Sequence, residues 1–323
     1  MRYRTFGRTG WQVSEIGYGM WGMGGWTGSD DAQSLESLQR AVDLGCNFFD
    51  TAYVYGNGRS ENLLGELVRN NPDRRIYTAT KVPPKNMQWP TLPEYPLEEC
   101  YPADHIEEFL HKSLANAGLE SFDLLQLHTW NDDWADEGGW SDMLDELKRQ
   151  GLIGATGISI NRWEPWNGVK TVRSGKIDSV QVIYNIFDQN PEDELFPACE
   201  EMNVAVIARV PFDEGTLTGT LTKDTTFPAD DWRSGYFSPE NLIPSVERAD
   251  ALKPLTPEGS SMADMALRFI LGHPAVSTII PGMRRLANVE NNIASSDRGP
   301  LTAELQWELK NHRWVRKPAP WSD

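Results

Sequence analysis

The sequence predicts an α/β fold: a (β/α)8 TIM barrel with an N-terminal β-hairpin and long loops at its C-terminal face. Two observations carry the prediction. Short β-branched or apolar runs occur eight times along the 323 residues, and longer amphipathic stretches separate them. Neighbouring strands joined by such long crossovers pair in parallel, and eight units of this kind suit a closed barrel. The length leaves one or two domains open. No linker or fixed-period repeat divides it, so a single domain over residues 1–323 is expected.

The elements follow in order. Arg2–Val13, with Gly7 and Gly10 near its turn, reads as the hairpin. The strand-like runs are Glu15–Gly19, Asn47–Phe49, Ile76–Thr80, Asp123–Leu127, Gly154–Ile158, Ser179–Ile183, Val204–Ala208 and Val276–Ile280. Helical spacing marks Asp31–Leu44, Ser60–Arg69, Ala103–Ala117, Asp142–Gln150, Glu192–Glu201 and Ser260–Leu271, and Arg284 and Arg285 open another helix. In Ala103–Ala117, for example, Ile106, Phe109, Leu110 and Leu114 fall near one face. Ser29 and Asp30 are start signals, and Gly45, Gly118 and Gly151 are stop signals.

Three stretches interrupt the rhythm: Val82–Pro102, rich in proline and aromatic residues, Pro211–Pro239, and a tail from Leu301 to Asp323. Loops that follow barrel strands gather at the C-terminal face, so the long ones are candidate walls of a binding site.

Composition narrows the function. With 39% hydrophobic and 24% charged residues, a large core is expected rather than disorder. No apolar segment follows Met1–Thr5 and no run of apolar residues is long enough for a span, so neither signal peptide nor membrane segment is expected. Cys46, Cys100 and Cys199 lie far apart without CxxC or nearby His pairs, which predicts no zinc site and a reducing compartment, the cytoplasm. Cys46 and Cys199 read as core residues. A net charge of −17 opposes nucleic-acid and anionic-membrane partners. A phosphorylated ligand would need a local cluster of basic side chains. The sequence sets no oligomeric state.

Chemistry-bearing residues stand at the predicted strand ends. Asp50 follows the second strand, Tyr55 lies five residues on, Lys81 closes the third and His128 the fourth. Singly, each has an ordinary explanation: a turn cap, a packed aromatic, an ion-paired strand end, a core histidine. Brought together at one rim, they form a proton donor. A phenol of pKa about 10 needs a nearby cation to become a better acid, and Lys81 could supply it. Asp50 would hold the ammonium, and His128 could donate to a carbonyl oxygen or assist the proton relay.

Phe49-Asp50-Thr51-Ala52 through Tyr55-Gly56, Ser60-Glu61, Ala79-Thr80-Lys81 and Gln126-Leu127-His128 resemble the signature of the aldo-keto reductases. So do Gly157-Ile158-Ser159, Gln181 to Asn185 and Ile280-Pro281-Gly282. The likeness spans nearly the whole chain. It implies a metal-free, usually cytosolic enzyme that reduces a small-molecule aldehyde or ketone with NADP(H), NAD(H) being the alternative cofactor, and a catalytic tetrad of Asp50, Tyr55, Lys81 and His128. By the same resemblance Gly19, Met20, Trp21 and Asp50 would line the nicotinamide ribose, and Ser159, Asn161 and Gln181 would bind the carboxamide. Ile160 displaces Asn161 by one place from the family's pattern. Arg209 stands where many members have a stacking tyrosine. Pro211, Phe212, Gly215, Leu217 and Gly219 would follow the pyrophosphate, and Gly282, Met283, Arg284, Asn288, Asn291 and Asn292 the adenosine end. A role for Arg284 at a 2′-phosphate suits a guanidinium near a helix start.

Gly17-Tyr18-Gly19-Met20-Trp21-Gly22 is a literal GxGxxG after a strand, the fingerprint of doubly wound dinucleotide folds. Helical spacing begins only near Asp30, so the match is read as accidental, with its glycines letting backbone approach a cofactor. Thirteen tryptophans are many for this length. Trp26, Trp89, Trp130, Trp134, Trp232, Trp314 and Trp321 all fall in predicted loops or the tail. Trp21, Trp26, Tyr55, Trp89, His128 and Trp130 are the candidate substrate contacts. As a set they suggest a flat or ring-shaped substrate, a keto-sugar or glycoside. The competing readings are an NAD-preferring sugar-alcohol dehydrogenase and a cofactor-binding barrel with little turnover that acts as a regulatory subunit.

Overall fold

A computed structural model describes residues 1–26 and 28–315; Trp321 therefore lies outside the described residues. Strands β1 (Tyr3–Phe6) and β2 (Trp11–Ser14) form the antiparallel hairpin, with Phe6 opposite Trp11. The barrel strands are β3 (Tyr18–Gly19), β4 (Phe48–Asp50), β5 (Tyr77–Val82), β6 (Phe122–Leu127), β7 (Ile153–Ser159), β8 (Ser179–Ile183), β9 (Ala205–Arg209) and β10 (Val276–Ile279). They run in sequence order and every pair is parallel. Parallel bridges from Ile16 to Ile279 and from Gly19 to Gly282 set the first strand against the last.

Helices follow the strands: α1 (Asp31–Asp43), α2 (Arg59–Asn70), α3 (Leu97–Cys100), α4 (Ala103–Ala117), α5 (Trp140–Arg149), α6 (Val169–Ser174) and α7 (Leu195–Met202). After β9 come α8 (Arg233–Tyr236), α9 (Pro239–Leu252) and α10 (Met262–Leu271), and after β10 come α11 (Leu286–Arg298) and α12 (Ala303–Lys310). Asp30 caps α1 by accepting from Gln33 N at 2.8 Å, as its position suggests. All three stretches read as irregular carry helix: α3, α8 and α12. Of these α12 buries only Leu309, so the sequence shows no apolar stripe there.

Alternation along the strands builds two cores. Phe48, Tyr77, Ala79, Leu124, Ala155, Ala205 and Ile207 pack with Phe6 and Val13 of the hairpin inside the barrel, with Trp11 alongside. Phe49, Leu125, Val180, Val182, Val206 and Ala208 belong instead to the large cluster shared with the helices. The Phe6 ring lies 5.4 Å from Phe48, so the hairpin plugs the end of the barrel remote from the strand C-termini.

Close approach explains several glycines. A Cβ on Gly65 of α2 would lie 1.7 Å from the Ala117 carbonyl of α4. In the GxGxxG stretch, a Cβ on Gly19 would lie 2.5 Å from Ile280 O, and α1 starts well beyond the motif. Gly19 thus admits a neighbouring strand at the barrel seam.

Among the described residues, no helix is long and apolar enough to cross a membrane. Cys46, Cys100 and Cys199 are free and buried.

Candidate active site

A side-chain period of two carries the inward positions upward from the barrel core: two residues beyond Phe48, Ala79, Leu124 and Ile207 stand Asp50, Lys81, Gln126 and Arg209. Gln181, between the outward Val180 and Val182, faces the same way. These side chains meet. Lys81 Nζ donates to Asp50 Oδ2 at 2.5 Å, to Thr51 O at 2.7 Å and to Tyr55 Oη at 3.5 Å. Asp50 Oδ1 accepts from Gln126 Nε2 at 2.9 Å and from Gln181 Nε2 at 3.0 Å.

Tyr55 is brought in by a tight run of turns after β4. Its amide donates to Ala52 O, and Gly56 follows at φ +72°, where a Cβ would strike Gly24 O at 2.3 Å. His128 completes the group: its ring lies edge-on to Tyr55 at 5.7 Å and to Trp89 at 4.7 Å. The His128 Nδ1 is buried without a hydrogen-bond partner among the described residues.

The electrostatics differ in one respect from the sequence expectation. Burial pushes the Tyr55 phenol above its ordinary value of 10.0, and the Lys81 charge, the largest opposing influence, does not overcome it. Lys81 moderates the acid; desolvation decides the net direction. For Lys81, burial alone would disfavour the ammonium, but Asp50 and Tyr55 outweigh it and its pKa rises. His128 is held well below 6.5 by burial, then by the charges of Lys81 and Arg209, and is therefore neutral at pH 7. A protonated phenol, a cation and a neutral imidazole can together deliver a proton to a carbonyl oxygen.

A cavity of about 770 Å³ opens from this corner. Gly19, Met20, Trp21, Asp50, Gln181, Arg209, Pro211, Phe212, Gly215, Gly282, Arg284 and Asn288 all line it, with Tyr55, Trp26 and Trp232. Ser159 and Asn161 are buried at and just beyond the end of β7, outside that lining. Asn161 donates to Thr91 O at 2.8 Å while its Oδ1 has no partner among the described residues.

Leu217 and Met283 are fully buried in the core, so only their backbone could meet a ligand, and Asn292 is buried in α11. Asn291 is exposed and does not line the cavity. The amides of Gly215 and Leu217 both bond to Phe212 O, and that of Gly219 to Thr216 O. The buried Thr216 hydroxyl, which the sequence did not single out, has no hydrogen-bond partner among the described residues. Trp130 does not face the cavity: it is fully buried, its indole donates to Thr171 Oγ1 at 2.8 Å, and it packs on Trp134 and Trp140. Trp134 is likewise core, and Trp314 packs on Phe187.

Gln126, Arg162 and Glu214 were not given roles by the sequence reading. Gln126 was legible from its place two residues before His128 on an inward face. Arg162 and Glu214 sit in different loops, paired at 2.7 Å on the cavity wall, and no spacing could join them.

These residues fit a nicotinamide dinucleotide. Gly215 and Gly282 line the cavity, and a Cβ on either would meet nothing within 4 Å, leaving open space beside the backbone. Outside the lining, Asn161 Oδ1 and Thr216 Oγ1 are buried without hydrogen-bond partners among the described residues. Five arginines (Arg162, Arg209, Arg233, Arg284, Arg285) line the cavity against the acids Asp50, Glu214 and Asp231, in a chain of net charge −17. Such local reversal of sign suits phosphates.

Comparison with known proteins gives consistent results. The model of the Aldo/keto reductase family matches residues 15–312. The chain is 30% identical over 314 residues to the uncharacterized oxidoreductase YqkF of Bacillus subtilis (strain 168), covering 97% of this chain and 96% of that one. It superposes on the holo form of aldo-keto reductase AKR11C1 from Bacillus halodurans with a TM-score of 0.78, 25% identity and full coverage of both chains. Against the glycerol dehydrogenase AKR11B4 from Gluconobacter oxydans the TM-score is 0.77 at 27% identity, covering 94% of this chain and 92% of that one.

Proposed function

The chain belongs to the aldo/keto reductase family, oxidoreductases acting on carbonyl or alcohol groups with a nicotinamide cofactor, and we propose that it reduces an aldehyde or ketone with NADPH. The single observation that carries this reading is the junction of Lys81 Nζ with both Asp50 and Tyr55 beside the cavity.

When bound, the nicotinamide supplies the hydride that reduces the carbonyl carbon. Tyr55, kept protonated by its raised pKa, gives its proton to the carbonyl oxygen. Lys81 stabilises the phenolate that results, and Asp50, fixed by Gln126 and Gln181, keeps the ammonium in place. Neutral His128 orients the carbonyl oxygen through a hydrogen bond. Both hydrogens of the Gln181 amide are spent on Asp50 and Gln126, so its oxygen is what remains to accept from a carboxamide. Arg284, which lines the cavity as Asn288 does, is placed by this reading at the 2′-phosphate. Trp21 lies 5.0 Å from Trp26 and 5.8 Å from Trp232, an aromatic wall suited to a ring-bearing carbonyl compound such as a keto-sugar. The three buried free thiols fit a reducing compartment such as the cytoplasm.

The likeness to a glycerol dehydrogenase favours one second reading, NAD-linked oxidation of a polyol. Assembly of Asp50, Tyr55, Lys81 and His128 disfavours a barrel that holds cofactor without turnover. Following NADPH and NADH consumption over a panel of aldehydes, ketones and keto-sugars tests the proposal. Faster reduction with NADPH is expected; bound NADPH with no turnover across the panel overturns it.

A further inference from the structure

In an eight-stranded barrel, alternate strands supply the inward side chains of each layer. Asp50 of β4, Gln126 of β6 and Gln181 of β8 come from alternate strands, and all three are buried. Gln126 touches both of the others: its Nε2 donates to Asp50 Oδ1 at 2.9 Å, and its Oε1 accepts from Gln181 Nε2 at 3.1 Å. The strand between β6 and β8 leaves room for that reach. Gly157 of β7 pairs with Gln126 in register, and a Cβ there would lie 3.2 Å from Gln126 Cγ and 2.3 Å from Ser179 Oγ.

The direction of these bonds is forced. A carboxylate only accepts, so the amide nitrogens of Gln126 and Gln181 both turn to Asp50 Oδ1. Gln126 Oε1 then takes the second hydrogen of Gln181. Held at two points, the Gln181 amide has one orientation with its oxygen left over, and it is Gln181, not Gln126, that lines the cavity. Without Gln126, one hydrogen of Gln181 would be buried with no acceptor, and the amide plane could swing about its single bond to Asp50.

We infer that Gln126 is a positioning residue: it fixes the Gln181 amide so that the cavity selects a pyridine dinucleotide whose ring carries a hydrogen-donating carboxamide. The inference rests on the reductase reading, in which Gln181 accepts from that carboxamide, and it assigns the strength of the contact to a side chain behind the cavity wall. It also ties the placement of the ring to the proton donor, because the carboxylate that orients both amides is the one that holds the Lys81 ammonium.

The test is a binding measurement. Titration of protein fluorescence compares the tighter-binding of NADP+ and NAD+ with its 3-acetylpyridine analogue, in which a methyl group replaces the amide nitrogen. The wild type is expected to bind the natural dinucleotide about tenfold more tightly, as one hydrogen bond and one acceptor otherwise left unpaired would give. Gln126→Met, of similar length but without a strong acceptor, should weaken the natural dinucleotide and leave the analogue nearly unchanged, so that the ratio falls to about twofold. Gly157→Ala, which crowds Gln126, should lower the ratio in the same direction. Gln126→Glu should keep it: a carboxyl buried beside Asp50 stays protonated, donates to Asp50 and accepts from Gln181. A wild type indifferent to the analogue overturns the inference, as does a ratio that survives Gln126→Met. Equal losses for both dinucleotides in Gln126→Met also overturn it, since a merely structural residue would act that way. Should Gln126→Met fail to fold, the wild-type ratio with Gly157→Ala and Gln126→Glu decides. Binding needs no turnover, so a carboxamide preference that depends on Gln126 in a protein that reduces no carbonyl on the panel would uphold the inference while sinking the reductase reading; turnover without that preference would do the reverse.

Discussion

Lys81 Nζ stands 2.5 Å from Asp50 Oδ2, with the two side chains only 0% and 2% exposed. Every remaining polar atom of the pair has a partner: Thr51 and Tyr55 for the ammonium, Gln126 and Gln181 for the carboxylate. A buried pair of this kind is stable only as a whole, because removing one member leaves the other charged and desolvated. Lys81→Met should therefore cost about 3–5 kcal/mol in urea unfolding. The double variant Asp50→Asn with Lys81→Met should regain much of that while still lacking reductase activity. A double variant as unstable as the sum of the singles would show that the pair is not coupled.

Tyr55→Phe removes the donated proton and little else. Carbonyl reduction should fall by about 10²–10⁴-fold, with NADPH affinity measured by fluorescence nearly unchanged. Undiminished turnover would remove Tyr55 from the mechanism.

The pH profile follows from the signs of the shifts. Tyr55 titrates above 10.0 and His128 well below 6.5, so kcat/KM for reduction should be flat between those limits, with no step near an ordinary histidine value. Stability should respond differently. His105, His128 and His273 are all depressed, first by burial, so below pH 6.5 the unfolded chain binds protons that the folded chain refuses. Stability is then fully present above the unfolded value and falls on acidification, by at most about 1.4 kcal/mol per pH unit for each group. Equilibrium unfolding at successive pH values, with His128→Asn as control, checks this; an unchanged midpoint between neutral and mildly acid pH contradicts it.

On the proposed reading, cofactor choice turns on Arg284. If it meets the 2′-phosphate, Arg284→Gln should weaken NADPH by about 1.5–3 kcal/mol and leave NADH nearly unaffected. Equal losses for both cofactors would place the side chain elsewhere.

Gly65 has no room for a methyl group, since its Cβ would lie 1.7 Å from Ala117 O. Gly65→Ala must push α2 from α4 and should destabilise by about 1–3 kcal/mol in thermal or urea unfolding. A neutral result would mean that the two helices separate at no cost.

Much of this architecture was legible in the chain. The run Ser179–Ile183 is β8, and Ala103–Ala117 is α4 with the same bounds, because each has a strong period and clear stops. The first barrel run shrank from Glu15–Gly19 to Tyr18–Gly19, where the seam with β10 is made by isolated bridges. Trp130 shows the opposite limit. Its place after a strand suggested a pocket wall, but whether a loop indole faces a cavity or the core depends on what packs over it, here Trp134 and Trp140.

By itself the sequence determined the alternation of strands and helices and the places of Asp50, Lys81 and His128 at strand ends, since periodicity is a local property of the chain. Only the tertiary structure decided the direction of the Tyr55 shift, the pairing of Arg162 with Glu214 and the partnerless Nε of Arg209. Those depend on desolvation and on distances between segments far apart in sequence, and both arise when the barrel closes.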